Sequence, residues 1–161
     1  MSTKKPAKSW KLKMEKPSVP EIVELPPNMP AGWGQGTMVI VTPKIIDTLV
    51  NSVPRGKLIT IGAMRKKFAH DYDTATTCPL TTGIFLRIVA EAAEENRQEG
   101  KTNVTPYWRV VRDTGEMIDK FPGGIEAQAE KLKEEDFEIL ITGRKGNKLV
   151  VADLEEHLQP L

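Results

Sequence analysis

The sequence has few of the residue types that carry covalent or metal chemistry, with one cysteine and two histidines among 161 residues. A single cysteine excludes an internal disulfide framework and a multi-cysteine zinc site. The spacing of His70 and His157 fits no known metal-ligand pattern. We therefore expect neither a metal nor another cofactor.

Long apolar runs are also missing. No stretch approaches the ~20 residues of a membrane-spanning helix, and the amino terminus has no apolar core of a signal peptide. These absences predict a cytoplasmic protein that has no membrane partner.

Charge is distributed unevenly, although its sum is only +1. Residues 1–17 hold six lysines and one glutamate, which leaves a net charge of −4 on residues 18–161. A slightly acidic body is unusual for a nucleic-acid-binding protein, so any DNA contact is expected to be local.

Residues 1–36 are rich in lysine, proline and glycine, which predicts a largely disordered or extended arm. Its lysines either neutralise DNA phosphates or only increase solubility. Trp10 and Trp33 are the exceptions in this arm. Each of them either anchors it by burying an aromatic face or lies on the surface.

Residues 37–137 are predicted to form one α+β domain. Its strand covers residues 37–41, and the apolar spacing then indicates helices. Pro43 suits a first helical turn, and Thr60 suits an N-cap. The predicted helices cover residues 43–53, 61–69 and 79–98, and the last of them has an apolar face of Leu80, Ile84, Ile88 and several alanines.

Two hairpins are predicted in the carboxyl-terminal part of the chain. Residues 113–115, Asp-Thr-Gly, are a turn signal between strands at 108–112 and 116–118, where a wing would lie. Residues 138–161 are predicted to form a second hairpin with a basic turn, followed by a short terminal helix.

Residues 106–111 read Pro-Tyr-Trp-Arg-Val-Val, which resembles the Pro-Cys-His-Arg-Val-Val/Ile motif of the O6-alkylguanine-DNA alkyltransferases, whose cysteine accepts the alkyl group. Three further segments match that family in the same order, at residues 53–62, 121–124 and 125–135. The resemblance covers about residues 39–138. It implies the family's winged helix-turn-helix domain and double-stranded DNA as the partner.

Several family positions are changed in this chain. Tyr107 stands in place of the acceptor cysteine and Trp108 in place of the histidine. Ile61 replaces the tyrosine that helps to rotate the nucleotide, and Leu80 replaces the arginine that enters the DNA stack. A phenol with an ordinary pKa near 10 and no histidine beside it is a poor acceptor. The chain therefore resembles the cysteine-lacking alkyltransferase-like proteins and is expected not to be an enzyme.

Cys78 is the remaining nucleophile candidate, because the start of a helix lowers the pKa of a thiol. A lone cysteine is more often a small buried hydrophobe, and this interpretation is favoured.

The resemblance and the threonine-rich start of the long helix identify the candidate site residues. Helix amino termini and hydroxyls suit phosphate oxygens. Arg109 is predicted to support the scaffold, while Tyr107 either fills the former alkyl pocket or stacks on an extruded base. Tyr107 and Trp108 are expected on opposite faces of a strand. The predicted DNA-binding residues are Thr60, Thr76, Thr77, Thr81 and Thr82, and the predicted base-pocket residues are Tyr107, Trp108, Arg109, Phe121, Gly123 and Gly124.

Two functions remain open at this point. The first is a non-enzymatic, alkyltransferase-like DNA-binding protein that recognises damaged or alkylated bases for repair. The alternative is a winged-helix module for protein interaction or regulation that no longer binds alkylated DNA, with a repair or regulatory protein as its partner.

The acidic side chains of the last family helix, including Glu126, Glu130 and Glu135, are predicted to form its solvated face.

Overall fold

A computed structural model describes residues 9–28 and 36–161 of the chain. Within these ranges, no helix is both long enough and apolar enough to span a membrane. In chain order the elements are α1 (Trp10–Glu15), β1 (Glu21–Glu24), β2 (Thr37–Ile40), α2 (Pro43–Asn51), β3 (Ile59–Thr60), α3 (Ile61–Asp71), β4 (Thr76–Thr77), α4 (Pro79–Gln98), a 3-10 turn (Tyr107–Arg109), β5 (Val110–Val111), α5 (Gly124–Glu134), β6 (Ile139–Thr142), β7 (Lys148–Val151) and α6 (Leu154–His157).

The strands form three small sheets. The first has the order β1-β2-β4, in which β2 is antiparallel to β1 and parallel to β4. β3 and β5 form a parallel pair, with Ile59 opposite Val110. β6 and β7 form an antiparallel hairpin. The predicted α+β class is confirmed.

The helices α2 and α3 begin at the residues that the sequence predicts, and α4 begins at Pro79 as predicted. Thr42 Oγ1 accepts a hydrogen bond from Ile45 N at 3.3 Å, with Pro43 at the first position of α2. Thr60 Oγ1 accepts from Ala63 N at 3.1 Å at the start of α3. These caps satisfy amide groups that have no partner inside the helix.

The apolar face predicted for α4 is partly wrong. Leu80 and Ile84 are 67% and 51% exposed, whereas Leu86 and Val89 are buried. The buried residues Thr82, Leu86 and Val89 form the face of α4 that packs against the core. Leu80 precedes Thr82 by two positions, which places it roughly 200° around a helix of 3.6 residues per turn and thus on the opposite face. The start of α4 therefore presents apolar side chains to solvent.

The predicted disordered or extended arm is wrong for residues 10–15, which form α1, whereas residues 21–24 are extended as β1. Ser9 Oγ donates to Glu95 Oε2 at 2.6 Å, and Trp10 N donates to Glu95 Oε1 at 2.7 Å. The carboxylate of Glu95 on α4 thus accepts a hydrogen bond from the first backbone amide of α1 and lies at the positive end of that helix. The Trp10 ring also lies 3.9 Å from Lys13 Nζ and 5.3 Å from the Arg87 guanidinium carbon. Trp10 is therefore an anchor, while Trp33 and the first three lysines lie outside the described residues.

The predicted hairpin around residues 113–115 forms only at its turn, where Arg112 N donates to Glu116 O at 3.0 Å. Gly115 N donates to Arg112 O at 2.8 Å and closes the turn. β5 pairs with β3 instead, and Met117 N donates to Leu149 O at 3.0 Å. Beyond this bond, pairing with distant segments takes the place of the longer hairpin that was predicted. The second predicted hairpin and the terminal helix are confirmed as β6–β7 and α6.

Two hydrophobic clusters hold these elements together. The larger joins β2, α2, α3 and α4 around the fully buried Tyr107. The smaller lies under α5 and the β6–β7 hairpin, and it includes Leu58, Leu132 and Val151. Residues 106–111 connect the two clusters, because Trp108 packs against both of them.

Candidate nucleic-acid interface

Tyr107 occupies the centre of the larger cluster and is only 1% exposed. Its ring packs edge-on against Trp108 at 5.3 Å and against Phe121 at 5.2 Å between ring centroids. The prediction that Tyr107 and Trp108 lie on opposite faces of a strand is wrong. Both residues belong to the 3-10 turn, in which successive side chains are rotated by roughly 120°, so that neighbouring rings can touch.

The Tyr107 hydroxyl is unsuited to nucleophilic chemistry. It donates to Glu94 Oε2 at 3.3 Å. Burial raises the pKa of Tyr107 well above its usual value, and the negative charge of Glu94 raises it further. A hydrogen bond from Arg97 holds the pKa of Glu94 below its usual range, which keeps that negative charge in place. The phenol therefore stays protonated, and its ring fills the centre of the larger cluster.

Trp108 and Arg109 both bind the carboxylate of Glu135. Trp108 Nε1 donates to Glu135 Oε2 at 2.7 Å, and Arg109 donates to Glu135 through Nε at 2.8 Å and Nη2 at 2.9 Å. Arg109 Nη1 donates to Val53 O at 2.7 Å. The planar guanidinium thus joins the end of α2 to the end of α5 and supports the scaffold, as predicted.

The prediction that Glu135 lies on the solvated face of α5 is wrong, because its side chain is only 7% exposed. Burial acts to raise the pKa of Glu135, but the hydrogen bonds from Arg109 and Trp108 outweigh burial and hold it below its usual range. The spacing of residues in the sequence already indicates that Glu135 faces the core. Gln128, Leu132 and Glu135 follow the i, i+4, i+7 spacing of one helical face, and the first two are fully buried.

Gln128 is a structural residue that the sequence analysis missed. Its Nε2 donates to Val110 O at 2.8 Å and to Trp108 O at 3.1 Å, while its Oε1 accepts from Ile118 N at 2.7 Å. One buried amide therefore satisfies three backbone groups around the motif, which would otherwise be buried without partners.

The predicted base-pocket residues are brought close together, but they form a packed wall. Phe121 is 3% exposed. Gly123 and Gly124 have φ angles of 78° and 77° and turn the chain into α5. A Cβ at Gly123 would lie 2.5 Å from the Ala127 Cβ. These glycines permit a tight turn against α5.

Three of the five predicted DNA-binding threonines have buried hydroxyls that bond within the protein. Thr60 caps α3, Thr77 Oγ1 donates to Arg65 O at 2.7 Å, and Thr82 Oγ1 donates to Cys78 O at 2.6 Å. These bonds disfavour the three threonines as DNA contacts, because helix capping and tertiary packing already use their hydroxyls. Thr76 and Thr81 are half-buried and keep partial access to solvent.

The start of α3 is also occupied by a group of the protein itself. Asp113, in the turn after β5, accepts a hydrogen bond from Gly62 N through Oδ1 at 2.7 Å. A carboxylate already interacts with the positive end of this helix, so a DNA phosphate would have to displace it. The DNA contact predicted at Thr60, at the start of this helix, is therefore disfavoured.

The start of α4 is different. Its N-cap residue, Cys78, makes no side-chain hydrogen bond to the helix and is 5% exposed. The cysteine is thus a small buried residue. Beside this helix start lies an open cleft of about 380 Å³. Its apolar lining includes Ile61, Leu80, Ile84 and Phe121, and its cationic side chains are Arg87, Arg112 and Lys120.

No protein-family model matches the sequence, and no curated protein matches it significantly. Solved structures do. A crystal structure of S. pombe Atl1 with damaged DNA containing O6-carboxymethylguanine aligns with 74% of this chain and 94% of its own, at 18% identity and a TM-score of 0.50. A structure of S. pombe ATL with DNA aligns over the same shares of both chains, at 21% identity and a TM-score of 0.52. The chain has the alkyltransferase-like fold. The resemblance seen in residues 106–111 is thereby confirmed at the level of the fold.

Proposed function

We propose that this protein binds duplex DNA without catalysis and that the first turns of α4 enter a groove. The observation that carries the proposal is the exposed apolar start of α4 beside a cleft with cationic side chains. The S. pombe proteins of the same fold were crystallised with DNA. Recognition helices commonly enter DNA with their amino-terminal residues.

Charge along α4 supports this orientation. Its carboxyl half carries Glu91, Glu94 and Glu95, which repel phosphates, and the last of these is bound to α1. The amino-terminal turns contain no acidic residue, and Arg87 and Lys120 lie beside them. The amino-terminal end of α4 is therefore the end compatible with DNA.

Leu80 is the side chain proposed to contact the base stack. An apolar residue can insert between base steps and partly unstack them. At 67% exposure it is available for such a contact without unfolding of the helix.

Leu80→Ala tests this role. Removing the larger side chain is expected to weaken duplex binding by up to about 30-fold, since about 2 kcal/mol is lost if the missing carbons are buried in the complex. Fluorescence anisotropy with a short labelled duplex measures the affinity. Leu12→Ala is the matched control, because Leu12 is 62% exposed on α1, and it is expected to bind normally. An equal loss in both variants would contradict the role of Leu80, and no binding by the unaltered protein would exclude the proposed function.

Recognition of an alkylated base at Tyr107 is disfavoured, because its ring fills that position. We expect duplexes with and without O6-alkylguanine to bind with affinities within about threefold of each other, a difference of less than ~0.7 kcal/mol. Parallel titrations at low and physiological salt measure the ratio. A strong preference for the alkylated duplex would show that damaged bases are recognised and that the packed wall opens.

The second candidate is a protein-interaction module, and the filled position at Tyr107 favours it as well. In that case the exposed Leu80 and Ile84 would contact a protein. A partner captured after nuclease treatment and lost with Leu80→Ala, together with no measurable DNA binding, would establish this alternative.

A further inference from the structure

The β6–β7 hairpin is a cationic segment on an acidic body. Arg144, Lys145 and Lys148 lie within residues 139–151, which contain no carboxylate, whereas residues 18–161 sum to −4. All three side chains are exposed. Among the ion pairs found in the described part of the chain, none involves any of these three residues. Their charge is therefore available for an anionic partner.

The hairpin is held firmly by the rest of the protein. Val151 N donates to Gly115 O at 3.0 Å, and Met117 N donates to Leu149 O at 3.0 Å, so that β7 is bonded on both of its edges. The turn is closed by Gly146 N, which donates to Gly143 O at 3.1 Å. A fixed backbone presents the cations at the tip and lowers the entropy cost of ordering them on a partner.

A continuous surface joins this hairpin to the start of α4. Arg112 lines the cleft beside Leu80 and also lines a second cleft with Asn147 and Lys148. Arg112 therefore lies between the proposed DNA-contacting helix and the basic turn, with one cleft on each side of it.

Two carboxylates, Glu116 and Asp119, line the second cleft. Asp119 accepts a hydrogen bond from Arg112 Nη2 at 2.9 Å and offsets part of its charge. Glu116 lines the second cleft and accepts from Thr114 Oγ1 at 3.2 Å. Both belong to the loop beneath the hairpin. The cations at the tip are not offset in this way, so an extended polyanion such as the DNA backbone is the partner that fits the surface.

We propose that the β6–β7 hairpin is a second phosphate-binding element that extends the contact of α4 along the duplex backbone. This inference rests on the proposed DNA binding. Side chains at the tip neutralise phosphates and release counterions, which adds affinity without sequence preference.

The test compares a triple variant with the unaltered full-length protein. The triple variant carries Arg144→Ser, Lys145→Ser and Lys148→Ser. The slope of log Kd plotted against log salt concentration should fall by about 2–3, because each lost phosphate contact contributes ~0.9 to that slope. Affinity at about 0.1 M salt should fall at least about tenfold. Anisotropy titrations at several salt concentrations measure both quantities, with an undamaged duplex as the probe.

Two further variants serve as controls. Lys44→Ser, Lys101→Ser and Lys133→Ser remove the same charge from exposed positions elsewhere, and this protein should keep most of its affinity. A charge-retaining hairpin variant, with Arg144→Lys, Lys145→Arg and Lys148→Arg, should bind normally.

The outcomes separate the two proposals. If the unaltered protein binds but the hairpin variant has the same salt dependence, or both triple-serine variants lose equally, the hairpin role is overturned and DNA binding by α4 stands. If the unaltered protein does not bind the duplex, both proposals fail.

Discussion

Replacing Tyr107 by alanine is expected to lower the free energy of unfolding by about 3–5 kcal/mol, the cost of truncating a buried aromatic residue. The ring is 1% exposed and packs against Trp108 and Phe121, so the surrounding side chains cannot collapse fully into the space. Urea unfolding followed by circular dichroism measures the change.

Tyr107→Phe is the matched control, because it keeps the ring and removes only the hydroxyl. It loses one hydrogen bond to Glu94, at a cost of about 0.5–1.5 kcal/mol. A loss below ~1 kcal/mol for the alanine variant would contradict the packed wall and imply open space around Tyr107.

Glu135→Ala is expected to lower the free energy of unfolding by about 3–5 kcal/mol at neutral pH, because removing one partner of a buried ion pair leaves an uncompensated charge. Arg109 is that charge, with a side chain only 14% exposed. Trp108 Nε1 also loses its acceptor. Glu130→Ala on the same helix is the matched control, since its side chain is 70% exposed and a small change is expected.

The same pair predicts a pH dependence. The pKa of Glu135 is lower in the folded protein than its usual value of 4.5. Its contribution to stability is therefore fully present above about pH 4.5 and is lost as the pH falls through the folded-state pKa. Glu135→Gln should be less stable near pH 7 and should lose less stability on acidification. If its stability falls as steeply as that of the unaltered protein, Glu135 does not contribute in this way.

Tyr107, Trp108 and Arg109 bind to different elements of the fold. The hydroxyl of Tyr107 bonds to α4, Trp108 bonds to α5, and Arg109 bonds to the end of α2 as well as to α5. Residues 107–109 thus connect α4, the end of α5 and the end of α2. We therefore expect substitutions in this motif to affect stability more strongly than DNA affinity.

Much of the fold was predictable because local signals determine it. Thr60 as an N-cap and Pro43 in a first turn fixed helix starts, and the bounds of α4 followed from Pro79 and Gly100. The candidate site was less predictable. The hydroxyls of Thr77 and Thr82 looked available in the sequence, but their partners, Arg65 O and Cys78 O, were decided by folding.

The sequence by itself determined that residues 106–111 resemble the alkyltransferase motif, with Tyr107 and Trp108 where that motif has cysteine and histidine, because a comparison of residue identities requires no coordinates. It also determined the α+β class and the basic turn of the last hairpin. The tertiary structure alone decided that Tyr107 fills its position, that Glu135 is buried on Arg109, and that Leu80 faces solvent. These facts depend on which distant segments pack together, and the side-chain period of a single helix or strand does not contain that information.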